Sequence, residues 1–262
     1  MTPLQEYLQK CRQLVDVVES QQNAIEEVAR LFSATIQSGR MVHVFGSGHS
    51  RIMVEEMWPR YGSFPGFNPI VELSLTFHNL VVGANGQRQA MFLENTSGLA
   101  ERILRNYDTD TKDCALVISS SGCNVVPIEM AEQFKKRGVK VTAIITKKHS
   151  EKSKSKHVTG KKLSDFADCI LDTGAPEGDA MVYVDGLDTP VAPGSTVGGA
   201  LIINCIKAEV ARLLTAAGAP PIVLSSAVVV GEQRATQLFE DAYDDHAHRL
   251  ARLYEKVGNK TS

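Results

Sequence analysis

The chain of 262 residues carries 28 Lys and Arg against 30 Asp and Glu, a formal net charge of −2, with 43% hydrophobic and 22% charged residues. That is the composition of an ordinary globular protein, long enough to bury a substantial core in one α/β domain. It excludes the basic excess of a nucleic-acid binder, and no apolar run reaches the ~20 residues that a membrane span needs. Met1 is followed by Thr-Pro-Leu-Gln-Glu rather than by a basic and then apolar signal segment. The five cysteines, at 11, 114, 123, 169 and 205, form no CxxC pair, which suits a reducing cytosol. Cys114, Cys169 and Cys205 lie in apolar runs and read as buried small hydrophobes. The expectation is a cytoplasmic protein with no nucleic-acid or membrane partner, no metal and no cofactor.

In chain order, Leu4, Tyr7, Leu8, Cys11, Leu14, Val15 and Val18 recur at helical spacing, and a second helix with Ile25, Val28, Ala29, Phe32 and Ile36 ends at Gly39. Helices ahead of the first strand cannot be crossovers, so the extension 1–39 must cover a sheet face or contact a partner chain. A strand at 41–45 runs into Gly46-Ser-Gly-His-Ser-Arg51 and a helix over 52–60. Strand 69–73 follows. Segment 74–92, broken by Gly83, Asn85 and Gly86, reads as helix, loop and helix start, and 94–106 as helix. Strand 114–118 enters Ser119-Ser-Ser-Gly-Cys-Asn124, then a helix to Arg137, and strand 139–145 comes next. Basic residues cluster from Lys147 to Lys162, which reads as a solvated loop. A short strand at 169–171, an added strand at 181–184 and an apolar helix from Thr196 to Thr215 follow. An extended run at 222–230 and a polar helix over about 232–257 close the chain. Alternating strands and helices predict an α/β fold with a parallel sheet covered on both faces, and 1–262 reads as a single domain.

In such sheets, ligands bind beyond the carboxyl ends of the strands, where the Gly-Ser loops fall. In Gly46-Ser47-Gly48-His49-Ser50-Arg51 the glycines allow close backbone approach, the helix start offers free N–H groups, and Ser47 and Ser50 add hydroxyls. A dinucleotide fingerprint is the rival reading, with Glu72 as ribose acid, but Arg51 stands where its third glycine would be. Ser119, Ser120, Ser121, Gly122 and Asn124 form the sharper signal, since one serine suffices for a helix cap and three favour a phosphate or polyol. Ala192-Pro-Gly-Ser195-Thr196 is a third loop of the same type.

This constellation resembles the sugar-isomerase (SIS) domain of phosphosugar isomerases, aminosugar-synthase isomerase domains and phosphosugar-sensing regulators. Ile118-Ser-Ser-Ser-Gly-Cys-Asn124 is similar to that family's most recognisable motif. Phe45-Gly-Ser-Gly-His-Ser50 with Glu55-Glu56-Met57, Asn68-Pro-Ile70, His78, Gly98-Leu-Ala100 and Pro221-Ile-Val-Leu-Ser225 resembles an uncharacterised bacterial SIS branch, which carries His where Arg51 stands. The resemblance covers roughly residues 5 to 250. It implies a flavodoxin-like three-layer sandwich with a five-stranded parallel sheet. It also implies a homodimer or homotetramer with sites near subunit interfaces, and a phosphorylated sugar as ligand.

Aldose–ketose isomerisation needs a base that moves a proton between C1 and C2 and groups that open the ring. Phosphoheptose isomerase, a relative, uses a glutamate on the helix before its Ser-rich loop. Glu94 occupies the comparable place and is the first candidate base, with a helix-start acid favoured by the dipole as the alternative. The relative's histidine after the third motif has no counterpart in Gly198-Gly-Ala-Leu-Ile-Ile-Asn204, which leaves His49 and His78 as catalytic candidates. Arg51 retains the positive charge for an anion. His246 and His248 read as solvated. The activities this leaves open are isomerisation, lyase or etherase chemistry on a phosphosugar, and non-catalytic phosphosugar sensing. The absence of a helix-turn-helix-like extension favours an enzyme.

Overall fold

The computed structural model describes residues 1–76 and 86–255. Helices α1 (Pro3–Glu19) and α2 (Gln22–Gln37) precede β1 (Val42–Gly46) and α3 (Arg51–Met57). β2 (Phe67–Ile70), α4 (Leu73–Thr76), α5 (Gln87–Leu93) and α6 (Leu99–Leu104) lead to β3 (Cys114–Ile118). Then come α7 (Val125–Lys136), β4 (Lys140–Ile145), α8 (Lys147–Lys152) and β5 (Cys169–Asp172). A ribbon of β6 (Ala180–Val182) and β7 (Val191–Pro193) precedes α9 (Ser195–Ala216), α10 (Ala227–Val230) and α11 (Glu232–Tyr254). His78 falls outside the described residues, as do 256 and 257 of the expected last helix.

The five main strands form one parallel sheet in the order β2-β1-β3-β4-β5. The chain moves from β1 to β2 in one direction and from β3 to β5 in the other. Right-handed crossovers then send α3 and α7 to opposite faces. Side chains alternate accordingly: Val42, Val44, Leu116 and Ile118 pack with Phe32, Met53, Ile202 and Ile206 on one face. Phe45, Ala115 and Val117 pack with Leu104, Ile128 and Phe134 on the other. The result is the expected three-layer α/β sandwich. α2 and α9 share the first face, so the N-terminal helices do cover the sheet. α1 starts on a capping box, with Gln5 N–H donating to Thr2 Oγ1 at 3.2 Å and Thr2 N–H to Gln5 Oε1 at 2.9 Å.

Several expectations need correction. The stretch 94–106 is not one helix, because α5 ends at Leu93 with Glu94 as its C-cap, and a turn with Gly98 at φ 83° intervenes before α6. The run at 222–230 is no strand of the sheet. Leu224 exchanges backbone hydrogen bonds with the 62–63 turn at 2.8 and 2.9 Å, and the chain then coils into α10. Cys205 is exposed, because α9 is apolar on its outward side as well as its inward one, and Cys169, the first residue of the edge strand β5, is half-buried. His246 is not solvated. It is half-buried, its ring 5.2 Å from that of Trp58, and burial lowers its pKa.

At the amino ends of β1 and β3, opposite the Gly-Ser loops, Asp113 is fully buried. Arg40 grips it bidentately at 2.8 and 2.7 Å, and His43 Nε2 stands 3.3 Å away. Burial pushes the carboxyl up, but the hydrogen bonds of His43 and Arg40 outweigh it and hold the pKa down at about 2.

Candidate functional site

With β2 and β3 on either side of β1, the strand order reverses between β1 and β3. The loops after these two strands must therefore splay apart and leave a crevice at their carboxyl ends. A cavity of about 400 Å³ lies there. Ser47, Gly48, His49, Ser50, Glu94, Ser119, Ser120, Ser121, Asn124, Ser195 and Thr196 all line it. Of the other candidates, Gly46 and Arg51 do not. A Cβ on Gly46 would stand 2.6 Å from Ser50 O, so this glycine lets the loop fold over itself. The Arg51 guanidinium turns to Glu55, 3.3 Å away.

The Ser-rich loop reaches its shape through its own side chains. Ser119 Oγ accepts from Gly122 N–H and Ser121 Oγ from Cys123 N–H, each at 3.2 Å, while Gly122 takes φ +61°. Those turns leave the N–H groups of Ser120, Ser121, Asn124 and Val125 without a hydrogen-bond partner among the described residues, at the N-terminus of α7. Such a cluster of open N–H groups is the backbone signature of an anion seat. A row of hydroxyls extends it across the strand ends, Ser120 to Thr146 at 3.1 Å and Thr146 to Thr173 at 2.7 Å.

Glu94 is the C-cap of α5, not a helix-start acid. A carboxylate at a helix C-terminus meets the negative end of the dipole, so the helix does not account for it. The cavity's own residues hold it instead. Ser47 Oγ–H donates to Oε2 at 2.9 Å and Asn124 Nδ2–H to Oε1 at 2.8 Å. The backbone is pinned too, Val126 N–H donating to Glu94 O at 2.9 Å. Burial raises the Glu94 pKa above the ordinary carboxylate value, against the opposing pull of Ser47, Lys156 and Asn124. A carboxylate poised in this way can take and return a proton.

Lys156 corrects the reading of 147–162 as a solvated loop. Its N–H bonds to Cys123 O at 2.9 Å and its Nζ donates to Asn124 Oδ1 at 2.7 Å. That bond fixes the amide so that Nδ2 points at Glu94. Gln87, His149, Thr173 and Asp179 also line the cavity and were missed. No local motif marks them: Gln87 opens α5, His149 lies in α8, and Thr173 and Asp179 lie in loops after β5, so only the sheet order brings them together.

The comparisons with known proteins agree with this architecture. The SIS domain family profile matches residues 6–146, more than half of the chain. The UPF0309 protein BH3325 of Halalkalibacterium halodurans is 35% identical over 220 residues, covering 84% of this chain and 88% of the relative. The UPF0309 protein lin2794 of Listeria innocua is 31% identical over 235 residues, 89% of this chain and 92% of the relative. Among solved structures, a phosphoheptose isomerase from Francisella tularensis superposes with a TM-score of 0.51 at 15% identity. The match spans 81% of this chain and 100% of that one, and is a likeness of fold. With its matching profile, its full-length relatives and its five-stranded parallel sheet, the chain belongs to the SIS domain family.

Proposed function

We propose that this protein binds a phosphorylated sugar or aminosugar and catalyses aldose–ketose isomerisation, with Glu94 as the base. The observation that carries the reading is the Glu94 carboxylate itself, raised in pKa by burial and aimed by Ser47 and Asn124 in a cavity rimmed by open N–H groups. The phosphate rests on the Ser119–Gly122 loop. Glu94 removes the proton from C2 of the open-chain aldose and returns it to C1, while the hydroxyl proton on O2 passes to O1 through the hydroxyls that line the cavity. Hydroxyl and N–H donors stabilise the enediolate between the two transfers. His49, on the cavity wall, is the candidate for ring opening, and His78 remains a candidate from the sequence.

The test is exchange of the C2 proton of sugar phosphates in D2O, followed by NMR. Wild type exchanges the proton and yields the ketose. Glu94→Gln binds the same compound but loses roughly 10²–10⁴-fold in rate, the usual contribution of a general base. Full exchange by Glu94→Gln removes Glu94 from the reaction. Binding without exchange by wild type supports a sensor instead.

The reading extends to a cytoplasmic homodimer or homotetramer. Among the described residues, no helix is long and apolar enough to cross a membrane. Leu201, Cys205 and Ala208 on the outer side of α9 line apolar grooves of about 660 and 680 Å³. Thr196 borders both the cavity and one of these grooves, so a second copy seated there stands beside the site.

A further inference from the structure

Two long helices, α7 and α9, point their N-termini into the same cavity, and their ends are furnished differently. The α7 end leaves four N–H groups open among the described residues. At α9, the Asp179 carboxylate already occupies the end. Its Oδ1 accepts from Ser195 N–H at 2.7 Å and Gly194 N–H at 3.1 Å, and its Oδ2 accepts from the Ser195 hydroxyl at 2.8 Å.

Asp179 does this from a constrained position. Its φ of 72° lies in the left-handed region, and its own carbonyl accepts a second bond from Gly194 N–H at 3.1 Å. The ribbon that carries it is tied down elsewhere. Gly178 N–H donates to His149 Nδ1 at 3.1 Å, and Tyr7 Oη–H donates to Pro193 O at 3.0 Å. The carboxylate is held on the cavity wall rather than resting there by chance of rotamer.

We propose that Asp179 is the residue that reads the hydroxyl end of the substrate and thereby sets its direction in the cavity. This rests on the phosphosugar reading above. An ionised carboxylate has about four acceptor positions, and three are filled by α9. The remaining acceptor capacity lies at the cavity wall, where a sugar hydroxyl can donate to it. The same negative charge repels a phosphate from the α9 end. The substrate is left one orientation, with phosphate on the Ser119–Gly122 loop and hydroxyls toward Asp179. Ser195 then acts through Asp179 and does not grip phosphate.

The experiment uses three probes on the full chain: inorganic phosphate, glycerol 3-phosphate and sorbitol 6-phosphate, an open-chain polyol that cannot isomerise. Affinities come from calorimetry on wild type and Asp179→Asn, which keeps an acceptor for the α9 cap but loses the charge. Wild type should bind sorbitol 6-phosphate more tightly than inorganic phosphate. Asp179→Asn should bind inorganic phosphate within about two-fold of wild type yet lose about ten-fold or more for sorbitol 6-phosphate, as expected for a charged hydrogen-bond acceptor. Unchanged affinity for all three probes would reduce Asp179 to a helix cap and overturn the proposal while leaving the phosphosugar reading intact. Much tighter inorganic phosphate in the variant, with no loss of affinity for sorbitol 6-phosphate, would show instead that Asp179 only plugs an anion seat, and would overturn the proposal. If wild type binds none of the probes, the phosphosugar reading and this proposal both fail. A crystal structure of wild type with sorbitol 6-phosphate decides the matter independently of the variant's folding. Phosphorus beside Ser120 and Ser121 supports the orientation, and phosphorus beside Ser195 overturns it.

Discussion

Glu94 and Lys156 never touch in the sequence, yet Asn124 joins them. The lysine holds the amide oxygen, the amide nitrogen holds the carboxylate, and the ammonium charge itself pulls the carboxyl pKa down against burial. Replacing Lys156 by Met removes that pull, so the Glu94 pKa must rise further. A base works only when ionised, so the acid limb of the pH–kcat/KM profile is expected to move to higher pH. The loss of activity should be larger at pH 5 than at pH 8, as measured on the isomerisation assay. An unshifted limb would show that a group other than Glu94 controls it.

Backbones meet closely where α9 crosses the end of β5. A Cβ on Gly198 would stand 2.0 Å from Thr173 O, and the obstacle is backbone, which cannot swing away. Gly198→Ala must push α9 off the sheet and with it Thr173, the last hydroxyl of the row from Ser120. Overpacking of this kind costs roughly 1–3 kcal/mol, and the backbone clash places this site at the upper end. Urea unfolding should report the loss, and weaker binding of inorganic phosphate should accompany it. α9 also presents its N-terminus to the cavity through Ser195 and Thr196 and buries Lys207, whose Nζ donates to Glu56 O at 2.7 Å and Ser63 Oγ at 3.1 Å. One helix thus sets the site at one end and clamps α3 further along.

At the scale of the whole molecule the sheet has the candidate site at one end and a structural end opposite it. The structural end carries Asp113, whose folded pKa of about 2 lies below its ordinary value of 3.8. A depressed carboxyl contributes stability that is present above its unfolded pKa and is lost as the pH falls through its folded one. The window is therefore about pH 4 down to 2, and the contribution is about 2 kcal/mol. Asp113→Asn should flatten the stability–pH curve in that window. It should also cost roughly 3 kcal/mol at pH 7, because Arg40 is left without its partner. Guanidinium titrations at several pH values check both. The outward apolar side of α9 calls for a second measurement. Light scattering on purified protein should give a dimer or tetramer, and Ala208→Arg, which places a charge in both grooves, should shift it toward monomer.

Local sequence was enough for the parts whose physics is local. The alternation of apolar runs and helical stripes fixes an α/β sheet, and the strand-to-helix passages at Gly46–Arg51 and Ser119–Asn124 mark the end where the cavity lies. The spacing from Glu94 to Ser119 was also legible, through resemblance to a related family. What the chain's order could not decide were contacts made by residues far apart in sequence. Lys156 reads as part of a solvated basic run until the loop folds back on Cys123 and Asn124. Asp179 lies in a Gly- and Pro-rich stretch and acquires meaning only when the ribbon brings it to the α9 N-terminus. Arg51 looks like an anion ligand from its place in the loop, but helical geometry turns it to Glu55, one turn on. Secondary structure is written in neighbouring residues. The site exists only where the reversal of strand order between β1 and β3 opens a crevice and distant loops converge on it.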